Sequence, residues 1–416
     1  MLSVNRQLEK YLRTRAVNGP WRIVGTKRQN FRAAVVIPAL AERDSLPQTL
    51  ASVAENPAAF LRDTLVLVVV NNRVTATPEQ KEENCQLLDW LANDSLTGLN
   101  LAWIDGASNG YELPEKEGVG LARKIGFDLA LDHLDWNAVP FLVSLDADTL
   151  VDKNYLPALF NYFANTSVGG AVLPFRHRQA ASPTQDVAIR HYELYLRSYL
   201  FGLQQAGSPY AYHTIGSAFA CRAGNYVAAG GMNRRHAAED FYFLQQLAKV
   251  SGITLLRGTI VRPSPRFSAR VPFGTGRAVQ ARVDTGQQLY AFVSATAFRV
   301  LEEWLALVAG NLNLSAAELV VAAEQLSPQL SQLLSELNFG QAWERMQENH
   351  HRKDRRLAAF HHWFDALRSR QLLTRIEGCG GREEALVAEL LEWGGYSGVT
   401  ATAEQLTLLE RLQGVE

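Results

Sequence analysis

Five short runs of β-branched and aliphatic residues recur between Phe31 and about Thr285, separated by helical patterns: Ala34-Val35-Val36-Ile37, Leu65 to Val70, Leu99 to Ile104, Phe141-Leu142-Val143 and Gly170-Ala171-Val172-Leu173. They are apolar on both faces, so their sheet has to be covered on both sides. That is the signature of a mostly parallel sheet in an α/β domain. Ser45-Leu46-Pro47-Gln48 is a capping-box pattern with Pro in the first turn and predicts a helix over residues 48–54. After Gly286 strand signals largely stop and helical periodicity takes over, with further capping-box patterns at Ser315-Ala316-Ala317-Glu318 and Thr402-Ala403-Glu404-Gln405. The 416 residues therefore divide into an N-terminal arm (1–30) with a polar helix-like stretch from Arg6 to Arg15, an α/β catalytic domain (31–285) and a C-terminal helical domain (286–416).

Composition narrows the function. With 41 Lys and Arg against 42 Asp and Glu, no global field draws the chain to nucleic acid or an anionic membrane, so any anion site is local. The charge is unevenly spread. Between Ser251 and Arg282 lie six arginines and no acid, leaving 35 basic against 42 acidic residues elsewhere. Cys85, Cys221 and Cys379 are isolated, which suggests neither a zinc site nor a disulfide framework and fits a reducing cytosol. The N-terminus has no secretory apolar region, and the longest apolar run, Leu65 to Val70, is far short of the roughly 18 residues a membrane span needs. A cytoplasmic protein without a transmembrane segment is expected.

The sharpest chemical feature is Phe141-Leu142-Val143-Ser144-Leu145-Asp146-Ala147-Asp148, a strand ending in two acids two residues apart. Carboxylates at the carboxyl edge of a parallel sheet stand where open α/β folds bind ligands. Hard oxygen donors suit Mg²⁺ or Mn²⁺, which is usually held by a few carboxylates plus substrate phosphates. Two acids in a polar loop also serve as a cap and a solvated side chain, so the other segments decide. Ile37-Pro38-Ala39-Leu40-Ala41-Glu42 closes the first strand and Val70-Asn71-Asn72 the second. Gly118-Val119-Gly120-Leu121-Ala122-Arg123-Lys124-Ile125-Gly126 opens a helix. Gly230-Gly231-Met232 precedes Glu239-Asp240, which begins another helix running to about Val250.

In that order these motifs resemble the family 2 glycosyltransferases, from Phe31 to roughly Gly276. The resemblance implies a GT-A fold, a Rossmann-like mixed sheet, and transfer of a sugar from a nucleotide-diphosphate sugar to an acceptor hydroxyl. It also implies that Pro38, Ala39 and Glu42 line the nucleotide pocket, joined in donor binding by Asn71 and Arg123. Asp146 and Asp148 then hold the metal and donor diphosphate, and Asp240 is the general base. Inverting transfer needs a carboxylate opposite the leaving diphosphate to take the acceptor's proton. Glu239 and Asp240 also suit a helix N-terminus electrostatically. Gly230-Gly231 upstream gives the close-approach backbone that an acceptor cleft wants.

Departures from the pattern bear on the donor. Asn71 and Asn72 stand where acids are usual. An amide oxygen accepts the uracil N–H, whereas the two donors of guanine favour a carboxylate, so a UDP-sugar is favoured. Lys124 replaces the Asn of A-R-N, and Leu40-Ala41 the commoner aromatic-Asn pair. Absence of Q-x-x-R-W and of membrane spans favours transfer of single sugars. The arginine-rich segment reads as a Pro/Gly-broken loop in which Arg266 or Arg270 clamps the donor diphosphate or an anionic acceptor, with Phe273-Gly274-Thr275-Gly276 as a lid hinge. His213 and His236 flank the acceptor segment as weaker metal-ligand candidates. The acceptor is not readable, and the helical tail either covers the acceptor cleft or builds a homodimer. The alternatives are a nucleotidyltransferase, which wants a Gly-rich phosphate loop that Ala39-Leu40-Ala41-Glu42-Arg43 does not supply, and a non-catalytic scaffold binding a partner through the tail.

Overall fold

The computed structural model describes residues 2–93, 98–235, 238–267, 274–376 and 383–415. The chain forms two compact units. One comprises Met1–Ile189, Thr214–Asp284 and Gly414–Glu416, the other Arg190–His213 and Thr285–Gln413.

The first unit is built on an eight-stranded sheet. Its strands are β1 (Ile23–Val24), β2 (Ala33–Ala39), β3 (Thr64–Asn71), β4 (Asn100–Gly106), β5 (Phe141–Ser144), β7 (Gly170–Val172), β8 (Phe219–Arg222) and β9 (Ile253–Leu255); β6 (Leu150–Val151) and β10 (Val261–Arg262) form a separate antiparallel pair. The order is β1-β4-β3-β2-β5-β8-β7-β9. β4, β3, β2 and β5 run parallel, whereas β8 is antiparallel to both β5 and β7, which makes the sheet mixed. Every residue of β2 and of β3 is buried, as expected of strands covered on both faces. The α/β class read from the sequence is the one observed.

Helices cover the sheet where the sequence permits close approach. In the helix Val119–Ala130 a Cβ at Gly126 would overlap Val36 Cγ1 and come within 3.0 Å of Val69 Cγ2, so glycine lets this helix lie directly on β2 and β3. The helix Leu46–Ala54 follows β2 with Pro47 in its first turn, but its capping box does not form. Ser45 is itself helical (φ −88°, ψ −44°), whereas a capping side chain needs an extended backbone to reach forward. At Ser315 the backbone is extended (φ −66°, ψ 160°) and the box is complete, its hydroxyl accepting from Glu318 N–H and Glu318 accepting from Ser315 N–H. Thr402 is already inside its helix and donates its hydroxyl to Glu384 Oε1 at 3.0 Å instead.

The N-terminal helix Leu2–Thr14 is anchored through Tyr11. Its hydroxyl donates to Asp128 Oδ1 at 2.6 Å and accepts from Lys124 Nζ at 2.9 Å, and Lys124 pairs with Asp128 at 2.9 Å. Lys124 is thus a structural cation.

The second unit is helical. Its core joins the helix Ala295–Gly310 to those at Phe339–Asn349 and Lys353–Trp363, with Trp304 edge-on to Phe339 (5.6 Å) and Phe360 (5.7 Å). Leu194, Tyr195, Phe201 and Leu203 belong to the same core. No helix of the described residues is long and apolar enough to cross a membrane.

Candidate active site

The carboxyl ends of β3, β2 and β5 are neighbours because the three strands are parallel and adjacent, and each carries a motif found in the sequence. Beyond β2 the chain turns through Ala41 in the left-handed region (φ 52°). The Ala41 N–H donates to Asn84 Oδ1 at 2.9 Å, and Glu42 follows at 4% exposure. Beyond β5, the D-x-D loop is held from below. Thr49 Oγ1 donates to the Ala147 carbonyl at 2.8 Å, and Thr149 N–H to the Asp146 carbonyl at 3.1 Å.

At the end of β3 the two asparagines separate in role. Asn71 Nδ2 donates to the carbonyls of Ala39 (3.1 Å) and Val69 (3.0 Å), which commits both amide hydrogens and leaves Oδ1 as its acceptor. Asn72 is structural, its Nδ2 facing the Arg73 and Ala107 carbonyls and its Oδ1 accepting from Asn84.

Arg123 joins the D-x-D to the Glu239-Asp240 helix. At 3% exposure its Nε donates to Ser144 Oγ at 3.0 Å, Nη1 is paired with Glu239 and Nη2 with Asp146. Its donors face protein groups, so it acts by positioning Asp146 and Glu239. Two glycines make room. A Cβ at Gly216 would overlap the Arg123 guanidinium, and one at Gly120 would overlap the Arg235 carbonyl and lie 2.9 Å from Glu239 Cβ. Glycine at 120 therefore seats the turn before Glu239 on the start of the Arg123 helix.

Asp240 is the second residue of the helix Glu239–Ser251, and its Oδ1 accepts from the Phe241 N–H at 2.7 Å. Burial, and then the neighbouring Glu239, push its pKa up to about 7. Glu239 is itself raised, burial outweighing the attraction of Arg123.

Arg266 reaches the same region from the arginine-rich segment. Its Nη1 donates to Glu42 Oε2 at 2.8 Å, Nη2 pairs with the other Glu42 oxygen, and Nε lies 2.7 Å from Asp148 Oδ2. Sequence reasoning missed Arg178, whose Nη2 donates to the Asp148 carbonyl at 3.2 Å. Its position after β7, in a Phe-Arg-His-Arg cluster, carried no motif.

These strand ends converge in a stretch with a recognisable relationship: the sequence model described as Glycosyl transferase family 2 matches residues 34–226. That stretch, just under half of the chain, is similar to glycosyl transferase family 2. The matched segment carries Pro38, Glu42, Asn71, Arg123, Asp146 and Asp148, while Asp240 and Arg266 lie beyond it. Among solved structures, S. aureus TarS in complex with UDP-GlcNAc is similar at 14% identity, over 92% of either chain, with a TM-score of 0.39. The mannosyltransferase PcManGT from Pyrobaculum calidifontis, in complex with GDP-Man and Mn²⁺, is similar at 14% identity over 100% of this chain and 94% of its own, with a TM-score of 0.38. At these TM-scores neither likeness decides the chemistry. No curated protein matches the sequence.

In the sheet unit, Asp146 and Asp148 put two hard oxygen donors on one loop, and the Asp146 side chain is 36% exposed. That set fits a divalent cation completed by phosphate oxygens. Among the described residues no group of three or more His, Cys, Asp or Glu could cage a metal. His213 lies in the helical unit, its Nε2 3.0 Å from Gln413 Oε1. Burial, followed by the Arg197 charge, holds its pKa down to about 3. His236, Arg270 and Phe273 lie outside the described residues.

Two other expectations are corrected. Gly230 and Gly231 have left-handed backbones (φ +87° and +77°), but the space over Gly231 is filled by the Tyr11 hydroxyl and Arg15 Nη1 would lie 2.9 Å from a Cβ at Gly230. The close approach they permit is that of the N-terminal helix. The arginine-rich segment is not loop throughout, since the helix Thr275–Thr285 includes Arg277 and Arg282.

Proposed function

We propose that the chain transfers one sugar at a time from a nucleotide-diphosphate sugar, with UDP as the favoured carrier, to an acceptor hydroxyl with inversion, assisted by Mg²⁺ or Mn²⁺ at Asp146 and Asp148. The observation that carries this reading is the Arg123 bridge: one buried guanidinium holds Asp146 and Glu239, and so ties the D-x-D to the helix that starts with Asp240. When bound, the cation stabilises negative charge on the departing diphosphate.

The protein's own groups do the rest. Pro38, Ala39 and Glu42 line the nucleotide pocket, and the Asn71 amide oxygen accepts the single ring N–H of uracil. Asp240 receives the acceptor's proton as the new glycosidic bond forms and the anomeric bond to diphosphate breaks. Its raised pKa keeps it basic enough for that transfer near neutral pH. Arg266 or Arg270 clamps the donor diphosphate or an anionic acceptor, and the pairing of Arg266 with Glu42 and Asp148 favours Arg266 at the diphosphate.

Thermal unfolding with UDP-, GDP- and CDP-sugars, each with and without Mn²⁺, tests the reading. A UDP-sugar is expected to raise the midpoint most, and only with Mn²⁺. Absence of a shift with every nucleotide would overturn it.

A further inference from the structure

Arg266 stands as a cation among the acids that the proposed metal site uses. Its guanidinium lies against both oxygens of Glu42 and against Asp148 Oδ2 at 2.7 Å, joining carboxylates from the ends of two different strands. The planar fork suits this arrangement, because gathered carboxylates repel one another until a positive charge lies between them. Arg123 and Arg266, which both pair with D-x-D carboxylates, differ in character. Arg123 is 3% exposed and held by three protein groups, whereas the Arg266 side chain is 35% exposed and comes from the segment after Pro263-Ser264-Pro265.

We infer that Arg266 is an internal counter-cation that competes with a divalent metal for Asp148, so that metal binds well only together with a nucleotide diphosphate, whose phosphates give the guanidinium a new partner. This rests on the reading of Asp146 and Asp148 as metal ligands. The exchange balances charge at each stage, because Asp148 passes from guanidinium to metal as the guanidinium passes from carboxylate to phosphate. By linkage, metal and diphosphate then each raise the other's affinity. The loop does not depend on Arg266 for its shape, since Thr49, Arg178 and the Asp146 to Thr149 turn hold its backbone.

The test is Mn²⁺ binding to the full chain by electron paramagnetic resonance without nucleotide, on wild type and on Arg266→Ala, Arg266→Gln and Arg266→Lys. The Ala and Gln variants are expected to bind Mn²⁺ about tenfold tighter or more, the Lys variant to fall between, and Asp148→Asn added to Arg266→Ala to abolish the gain. UDP is expected to strengthen Mn²⁺ binding more in wild type than in Arg266→Ala. Should Arg266→Ala fail to fold, judged by its unfolding midpoint, the near-isosteric Gln variant carries the same comparison. Equal affinities across the series, with wild-type binding still lost in Asp148→Asn, would overturn the inference and leave the metal reading standing. If neither wild type nor any variant binds Mn²⁺ through Asp148, with or without UDP, both fall.

Discussion

Asp240 and Ala41 are the two residues whose local physics leads to the most direct measurements. A base works only when ionised, and Asp240 with a pKa near 7 loses its charge as pH falls through neutrality. The kcat/KM for donor turnover is therefore expected to decline about tenfold per pH unit below 7, far above the range of an ordinary carboxylate. Asp240→Asn should lower kcat by about 10²- to 10⁴-fold and abolish that limb. An acid limb confined to pH below 5 would disprove the base assignment. Ala41 carries a positive φ, a conformation that costs an L-residue other than Gly or Asn roughly 1 kcal/mol. The same position explains the Asn usual in the resembling motif. Ala41→Asn is expected to stabilise the chain by up to about 1 kcal/mol in urea unfolding, with the Asn84 hydrogen bond retained.

The helix Val119–Ala130 is the element on which the site depends, since one face presents Arg123 to the acids while Gly126 rests on β2. Gly126→Ala is expected to cost about 1–3 kcal/mol by overpacking against Val36 and Val69, measured as a shift of the urea midpoint at constant m-value. Removing the guanidinium is expected to be worse. Arg123→Met leaves the buried Glu239 without its counter-charge, at a cost of about 3–5 kcal/mol, and Glu239→Leu added to it should recover part of the loss. The G-x-G-x-A-R segment was legible as a motif, but not the division of labour within it. Which glycine clears space for a neighbouring segment and which side chain meets which acid depend on residues between 23 and 119 positions away. Capping shows the same limit at shorter range. Ser45 and Ser315 look alike in sequence, yet only Ser315 has the extended backbone that lets a hydroxyl turn forward onto the helix.

At the scale of the whole molecule, the helical unit is not simply the C-terminal part of the chain. It takes in Arg190–His213, and Leu194, Tyr195, Phe201 and Leu203 pack there with Phe298, Leu301 and Trp304. A chain ending at Asp284 is expected to leave that apolar face uncovered and to aggregate in size-exclusion chromatography, whereas a boundary at residue 285 between independent domains would yield a monomer that unfolds cooperatively. The strands of the parallel core, the switch to helices after Gly286 and the acids at the strand ends were all readable, because apolar periodicity and strand-end position are local properties of a chain. By itself the sequence determined an α/β sheet with carboxylates at its carboxyl edge and a helical region after it. Tertiary structure alone decided the long-range pairing of charges: Arg123 on Asp146 and Glu239, Arg266 on Glu42 and Asp148. A buried ion takes whichever opposite charge the fold brings within hydrogen-bonding reach, and that is a property of folded space which no spacing along the chain encodes.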